Sequence, residues 1–175
     1  MEKESEKESE KEVGSLINEL TYLRYLMNKG AIRECFRKMS IPEYIAMHNI
    51  ADNSETAAIY EGRTYLTELS EKMKLTIRQT SKMVGALKER GLLVWSHDGN
   101  GSEGTYVTIT ETGKKMLGEQ EALLKEFYGT VIVKFGRENL IRLLQLMKQL
   151  ETVMSSTMEE MEGDNGNDDV CGYDE

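Results

Sequence analysis

The chain has 175 residues, 39% hydrophobic and 30% charged, with a formal net charge of −9. That length suits one domain with tails, and one Pro, three Phe and one Trp argue against an all-β sandwich. No apolar run reaches the length of a membrane span, the first dozen residues hold no apolar signal segment, and the two cysteines, Cys35 and Cys171, lack paired spacing. A cytoplasmic protein without a disulfide scaffold, zinc finger or cofactor is expected.

The acidity is unevenly placed. Residues 1–12 carry net −3 and residues 159–175 net −8, so 13–158 is left with +2 of the total −9. Within 64–92 there are six bases (Lys72, Lys74, Arg78, Lys82, Lys88, Arg90) against three acids. A local positive field attracts phosphate whatever the whole-chain charge.

In chain order, 1–12 repeats Glu-Lys-Glu-Ser without an apolar face and is expected as a charged, disordered tail. Residues 13–39 place Val13, Leu16, Ile17, Leu20, Leu23, Met27, Ala31 and Cys35 at helical spacing, with Gly30 as a bend or break. Ser40 and Glu43 have capping-box spacing, with Pro42 in the first turn, and predict a helix over about 41–52. Residues 53–63 read as a loop. From 64 the pattern is helix, turn, helix: Thr67 caps the first, Thr76 and Gln79 form a second capping-box pair, and Gly91 ends the second. Strands over 92–96 and 105–110 flank a tip of Gly, Asn, Ser and acidic residues. A helix over 111–135, a break at Gly136 and a helix over 137–158 follow.

In that last helix Leu140, Ile141, Leu143, Leu144, Leu146, Met147 and Leu150 cover an arc of roughly 220°. A domain core needs only a stripe, so the band points to the same helix of a second subunit. The competing reading is a helix buried within its own domain. Residues 159–175 are expected as an acidic disordered tail.

Two readings of the helix after Thr76 compete. At about 100° per residue, Ile77, Thr80, Met83, Val84 and Leu87 share a buried face, while Arg78, Lys82, Gly85 and Glu89 share an exposed one, flanked by Gln79 and Ser81. This is an ordinary amphipathic helix, or one whose N-terminal part enters a major groove. Arg pairs with guanine and Gln with adenine through two hydrogen bonds each, and Gly85 lets a backbone approach closely. The preceding capped helix, the Gly stop and the hairpin favour DNA.

LTELSEKMKLTIRQTSKMVGALKERGLL, the hairpin, and ITETG at 109–113 together resemble the MarR family of winged-helix bacterial regulators, over about residues 13–156. PEYIAMHNIAD is similar to the family's second helix. The resemblance implies a mainly α fold with a small β-hairpin. In it a winged helix-turn-helix at 64–110 is joined to N- and C-terminal dimerisation helices at 13–39 and 111–158, all within one domain of 13–158. It implies a homodimer on a pseudo-palindromic operator in double-stranded DNA, acting as a ligand-responsive repressor.

By matching position, Thr76, Arg78, Gln79, Ser81 and Lys82 are the base-contact candidates. Lys74, Asn100, Ser102 and Thr105 are weaker backbone or wing candidates. The family's wing Arg is missing, with Glu103 in its place. The alternative is therefore a winged-helix protein-interaction module with weakened or lost DNA binding.

Tyr22, Tyr25, Phe36, Tyr44 and His48 are candidates for a pocket taking a small aromatic effector, against the plainer reading that they are core. His48 and His97 stand apart in sequence and make no metal cluster. Cys35 lies on the apolar face of its helix, as a packed thiol does. No nucleophile–base pair or phosphate-binding Gly loop suggests an enzyme.

Overall fold

The computed structural model describes residues 2–30, 32–56, 62–99 and 104–165. In chain order the elements are α1 (Glu2–Lys29), α2 (Ile32–Cys35), α3 (Ile41–Thr56), β1 (Thr64–Tyr65), α4 (Leu66–Met73), α5 (Ile77–Glu89), β2 (Leu93–His97), β3 (Thr105–Ile109), α6 (Glu111–Phe135) and α7 (Arg137–Asn165). The protein is mainly α with one small antiparallel sheet, a winged helix. The chain divides into two compact units, 1–124 and 125–175, with the division inside α6. No helix among the described residues is long and apolar enough to cross a membrane.

Local chemistry sets most boundaries. α3 opens on a reciprocal cap: the Ser40 backbone N–H donates to Glu43 Oε2 at 2.7 Å and the Glu43 N–H to Ser40 Oγ at 3.4 Å. α5 opens on the expected Thr76–Gln79 box. Gly91 (φ 72°) ends the turn after α5, and Gly136 (φ 92°) separates α6 from α7.

Several expectations need correction. The backbone is helical from Glu2, where a disordered tail was expected over 1–12. In the sequence, Glu and Lys spaced i,i+3 (Glu4 and Lys7, Glu8 and Lys11) favour a helix that no apolar face announces. At the other end α7 continues to Asn165, past the expected boundary at 158. α3 runs four residues beyond the expected end at 52. Thr67 does not cap α4. The N-cap is Tyr65, with no side-chain cap bond, because Thr64 and Tyr65 are already committed to a strand.

That two-residue strand makes the hairpin a three-stranded sheet of order β1-β3-β2. Val107 sits between Thr64 and Trp95, and Leu93 faces Ile109. The pleat turns Leu93, Val107 and Thr64 inward and leaves Val94 exposed on the other face.

The core of the first unit collects Met39, Ala46, Met47 and Ile50 around α3, Leu66 and Leu69 from α4, and Val84 and Leu87 from α5. Leu92, Leu93 and Val107 come from the sheet region and Leu117 from α6. Each Leu, Ile, Val or Met among them contributes about 1.5–3 kcal/mol by leaving water. The joint that aligns these parts is polar. Thr110 Oγ1 donates toward the carbonyls of Gly91 (2.8 Å) and Leu92 (3.1 Å) and accepts from the Gly113 N–H at 2.9 Å.

A Cβ on Gly113 would overlap the Leu92 carbonyl oxygen and lie 2.9 Å from Ile109 Cγ1. Gly113→Ala should therefore lower the unfolding free energy by about 1–3 kcal/mol, as overpacking does. A Cβ on Gly85 meets nothing within 4 Å, so Gly85→Ala should gain up to about 1 kcal/mol of helix propensity. Urea denaturation of both variants reads the contrast.

Candidate nucleic-acid interface

α5 rests on the core through Thr80, Val84 and Leu87. Arg78, Lys82, Ala86 and Glu89 are exposed on the side away from the core, and Ser81 and Gly85 are partly exposed. The helix therefore presents two cations near its N-terminal end. The free N–H groups of that end already favour an anion.

The capping box alters what the first turn offers. The Gln79 N–H donates to Thr76 Oγ1 at 3.2 Å, while Gln79 Oε1 accepts from the Thr76 N–H at 2.9 Å and faces the Thr76 hydroxyl at 3.0 Å. A backbone N–H only donates, so the amide oxygen must be the atom turned inward. Gln79 is thus left with its nitrogen, and the two-bond grip on adenine expected from its identity is closed while the cap holds. Ile77, expected on the buried face, is instead 46% exposed. It occupies the first helical position, beyond the edge of the core.

The remaining candidates are spread out. Lys74 ends α4 in the left-handed region (φ 52°), with its N–H bonded to the Glu71 carbonyl at 3.1 Å. Thr105 opens β3, its hydroxyl 3.2 Å from His97 Nδ1. Asn100, Ser102 and Glu103 lie outside the described residues, as does Cys171. Toward the tip end of the hairpin, Arg63 stacks over Tyr106 at 4.6 Å, and the Tyr65 hydroxyl donates to Asp98 Oδ2 at 3.0 Å. This places one cation, Arg63, on the outer side of the sheet. The two-residue strand that follows it carries no periodic signal that could have flagged it.

Of the pocket candidates, Phe36, Tyr44 and His48 form a row, with ring centroids 5.8 and 5.9 Å apart. His48 lies between Glu121 (3.4 Å) and Asp52 (3.7 Å). Burial, then the carboxylates of Glu121 and Asp52, raise the Tyr44 phenol above its ordinary pKa. Tyr22 and Tyr25 lie exposed on α1. A cavity of about 250 Å³ lies between α2 and α6, lined by Glu34, Cys35, Arg37, Lys38, Met116, Glu119, Gln120 and Leu123. It includes none of the five pocket candidates. Gln120 closes one side by donating to the Cys35 carbonyl at 2.7 Å.

Arg90, at the C-cap of α5, ties these regions together. It donates to Glu43 Oε1 at 2.9 Å, to the Lys38 carbonyl at 2.6 Å, and toward Met116 Sδ at 3.6 Å. Partial burial alone would raise the Glu43 pKa, but the Ser40 N–H and hydroxyl and the Arg90 guanidinium outweigh it and hold the carboxyl below its ordinary value of 4.5.

No protein-family model matches the chain, and no curated protein matches it in sequence. Solved structures do match in fold. The Staphylococcus aureus MepR–DNA complex is 13% identical with a TM-score of 0.62, covering 77% of this chain and 97% of that one. A MarR family protein from Bacillus stearothermophilus is 20% identical with a TM-score of 0.56, covering 83% and 97%. Bordetella bronchiseptica BpsR, whose DNA binding is regulated by 6-hydroxynicotinic acid, is 16% identical with a TM-score of 0.59, covering 79% and 92%.

The Glu43–Arg90 pair should leave a pH signature. Because the folded-state pKa of Glu43 is depressed, its stabilisation is full above the unfolded value near 4.5 and is lost as pH falls through the folded value. Glu43→Gln should cost about 1–3 kcal/mol at neutral pH. Its melting temperature should converge on that of the wild type as acid protonates Glu43. A gap that stays constant throughout the acid limb of the transition would assign the loss to something other than the charge.

Proposed function

On a fold that is the winged helix of the MarR family regulators, we propose that the protein is a sequence-specific regulator of transcription that binds double-stranded DNA as a homodimer. The observation that carries this is α5: a capped helix with a buried apolar side and Arg78, Ser81 and Lys82 turned away from the core. Its N-terminal turn enters the major groove. Arg78 pairs with a guanine, and Lys82 lies against phosphate or a second base. Lys74 and Thr105 contribute backbone contacts, as do Asn100 and Ser102 of the wing. Ile77 adds an apolar contact of the kind that recognises a thymine methyl group. The regulator is a repressor released by a small ligand.

The dimer rests on exposed apolar surface. Leu16, Ile17, Leu20 and Leu23 of α1 are 49–61% exposed, and Leu144, Leu146, Met147 and Val153 of α7 are 46–60% exposed. An isolated chain would hold these side chains in water, and a second copy covers them. The effector is a small aromatic acid, as for the Bordetella neighbour. The α2–α6 cavity suits one at the small end of ligand sites: Met116, Leu123 and Cys35 give an apolar wall, and Arg37 and Lys38 a cationic edge. Those cations pair with Glu34 and Glu119, so an acid binds by exchanging partners with them.

Selection of duplexes from a random pool tests the reading. The wild type should enrich a pseudo-palindrome with half-sites about one helical turn apart. Arg78→Ala should lose about 1–3 kcal/mol of affinity for it. Replacing thymine by uracil in the enriched duplex should weaken the wild type but leave Ile77→Ala unchanged. Equal binding of enriched and random DNA would instead favour a winged helix used for protein contacts.

A further inference from the structure

We infer that Arg90 is the link through which the α2–α6 cavity sets the angle of the recognition helix; this rests on the DNA-binding reading above. Two of its three partners, Lys38 and Met116, are walls of that cavity. The third, Glu43, is fixed by its own cap with Ser40. A guanidinium is a rigid planar fork, so it cannot follow a shift of Lys38 or Met116 without turning. Arg90 is itself the C-cap of α5, so strain that its side chain does not absorb reaches the end of that helix.

The two ends of α5 are held differently. The hydrogen bonds of the Thr76–Gln79 cap join residues of the same turn. Thr80, Val84 and Leu87 seat the helix on the core, while Arg90 fixes how its C-terminal end meets α3 and α6. A helix of 13 residues is about 20 Å long, so a tilt of about 3° about its C-terminal end moves the first turn by about 1 Å. Such a displacement takes a 2.9 Å hydrogen bond beyond useful length. Filling the cavity therefore weakens base reading while leaving the phosphate field of Arg78 and Lys82 in place.

Cys35 lines the cavity and allows an occupant to be attached without knowing the natural ligand. In the full chain carrying Cys171→Ser, Cys35 is the single thiol, and N-phenylmaleimide would place an aromatic group there. Alkylation should lower affinity for the enriched duplex about tenfold and leave affinity for random DNA unchanged. Arg90→Met should show the same loss before alkylation and no further loss after it. Treated Cys35→Ser should bind as the untreated protein does. Should Arg90→Met fail to fold, Arg90→Lys replaces it, with an intermediate loss and a correspondingly smaller response to the reagent.

The link is overturned if Arg90→Met binds like the wild type, or if it weakens enriched and random DNA equally. It is also overturned if alkylation weakens Arg90→Met by the same factor as the wild type. If the wild type enriches no duplex, it is the DNA reading that fails. Hydrogen exchange at the backbone N–H groups of 88–92 then reads the link alone. Alkylation should speed exchange there in the wild type and not in Arg90→Met, and an equal effect in both overturns it.

Discussion

One hydroxyl group holds the winged helix in register. Thr110 Oγ1 meets the carbonyls of Gly91 and Leu92, where the chain leaves α5 for the sheet, and accepts the Gly113 N–H, where α6 begins. The Thr110 N–H donates to the Leu92 carbonyl as well, at 3.1 Å. Three chain segments thus converge within hydrogen-bond distance. Only a residue without a side chain fits at 113, because the Leu92 carbonyl occupies the place of its Cβ. The distance between the start of the sheet and the start of α6, and with it the seat of α5, follows from this contact. The Ile-Thr-Glu-Thr-Gly run has a steric and hydrogen-bonding reason, independent of any resemblance.

The restraints on α5 differ in range. Its start is settled by neighbours in sequence, and its end by residues 47 and 52 positions away, Glu43 and Lys38. The apolar side chains that seat it between those ends belong to a core shared with α3, α4 and the sheet. A helix fixed locally at one end and by tertiary contacts at the other is suited to passing small rotations toward the locally fixed end. The charge pattern agrees, since the cations away from the core need no partner within the domain.

Features written in local chemistry were readable from the sequence, and those depending on distant partners were not. The caps at Ser40 and Thr76, the stops at Gly91 and Gly136, and α6 from Glu111 to Phe135 follow from period and capping residues alone. Strand β1 is two residues long and has no alternation to detect. The helical wheel put Ile77 on the buried side, but a wheel knows angle and not height, and Ile77 stands above the rim of the core. Helix α1 begins where pairs of opposite charge, not apolar spacing, carry the signal. The cavity joins α2 to α6 through residues some 80 positions apart, such as Cys35 and Gln120, and no run of sequence contains it. The roles of Arg78, Ser81 and Lys82 stand as proposals.

If α5 reads DNA as proposed, the cap at its start ties fold stability to the alphabet the helix can read. While the Gln79 oxygen faces the Thr76 N–H, its side chain has only donor hydrogens to offer. A base opposite it must then present an acceptor, as guanine, adenine and thymine do in the major groove and the amino group of cytosine does not. Loss of the Thr76 hydroxyl removes one partner of that oxygen and loosens the amide, which widens the set of acceptable bases as it weakens the helix end. Drift in operator preference and drift in stability would then be inherited through the same position.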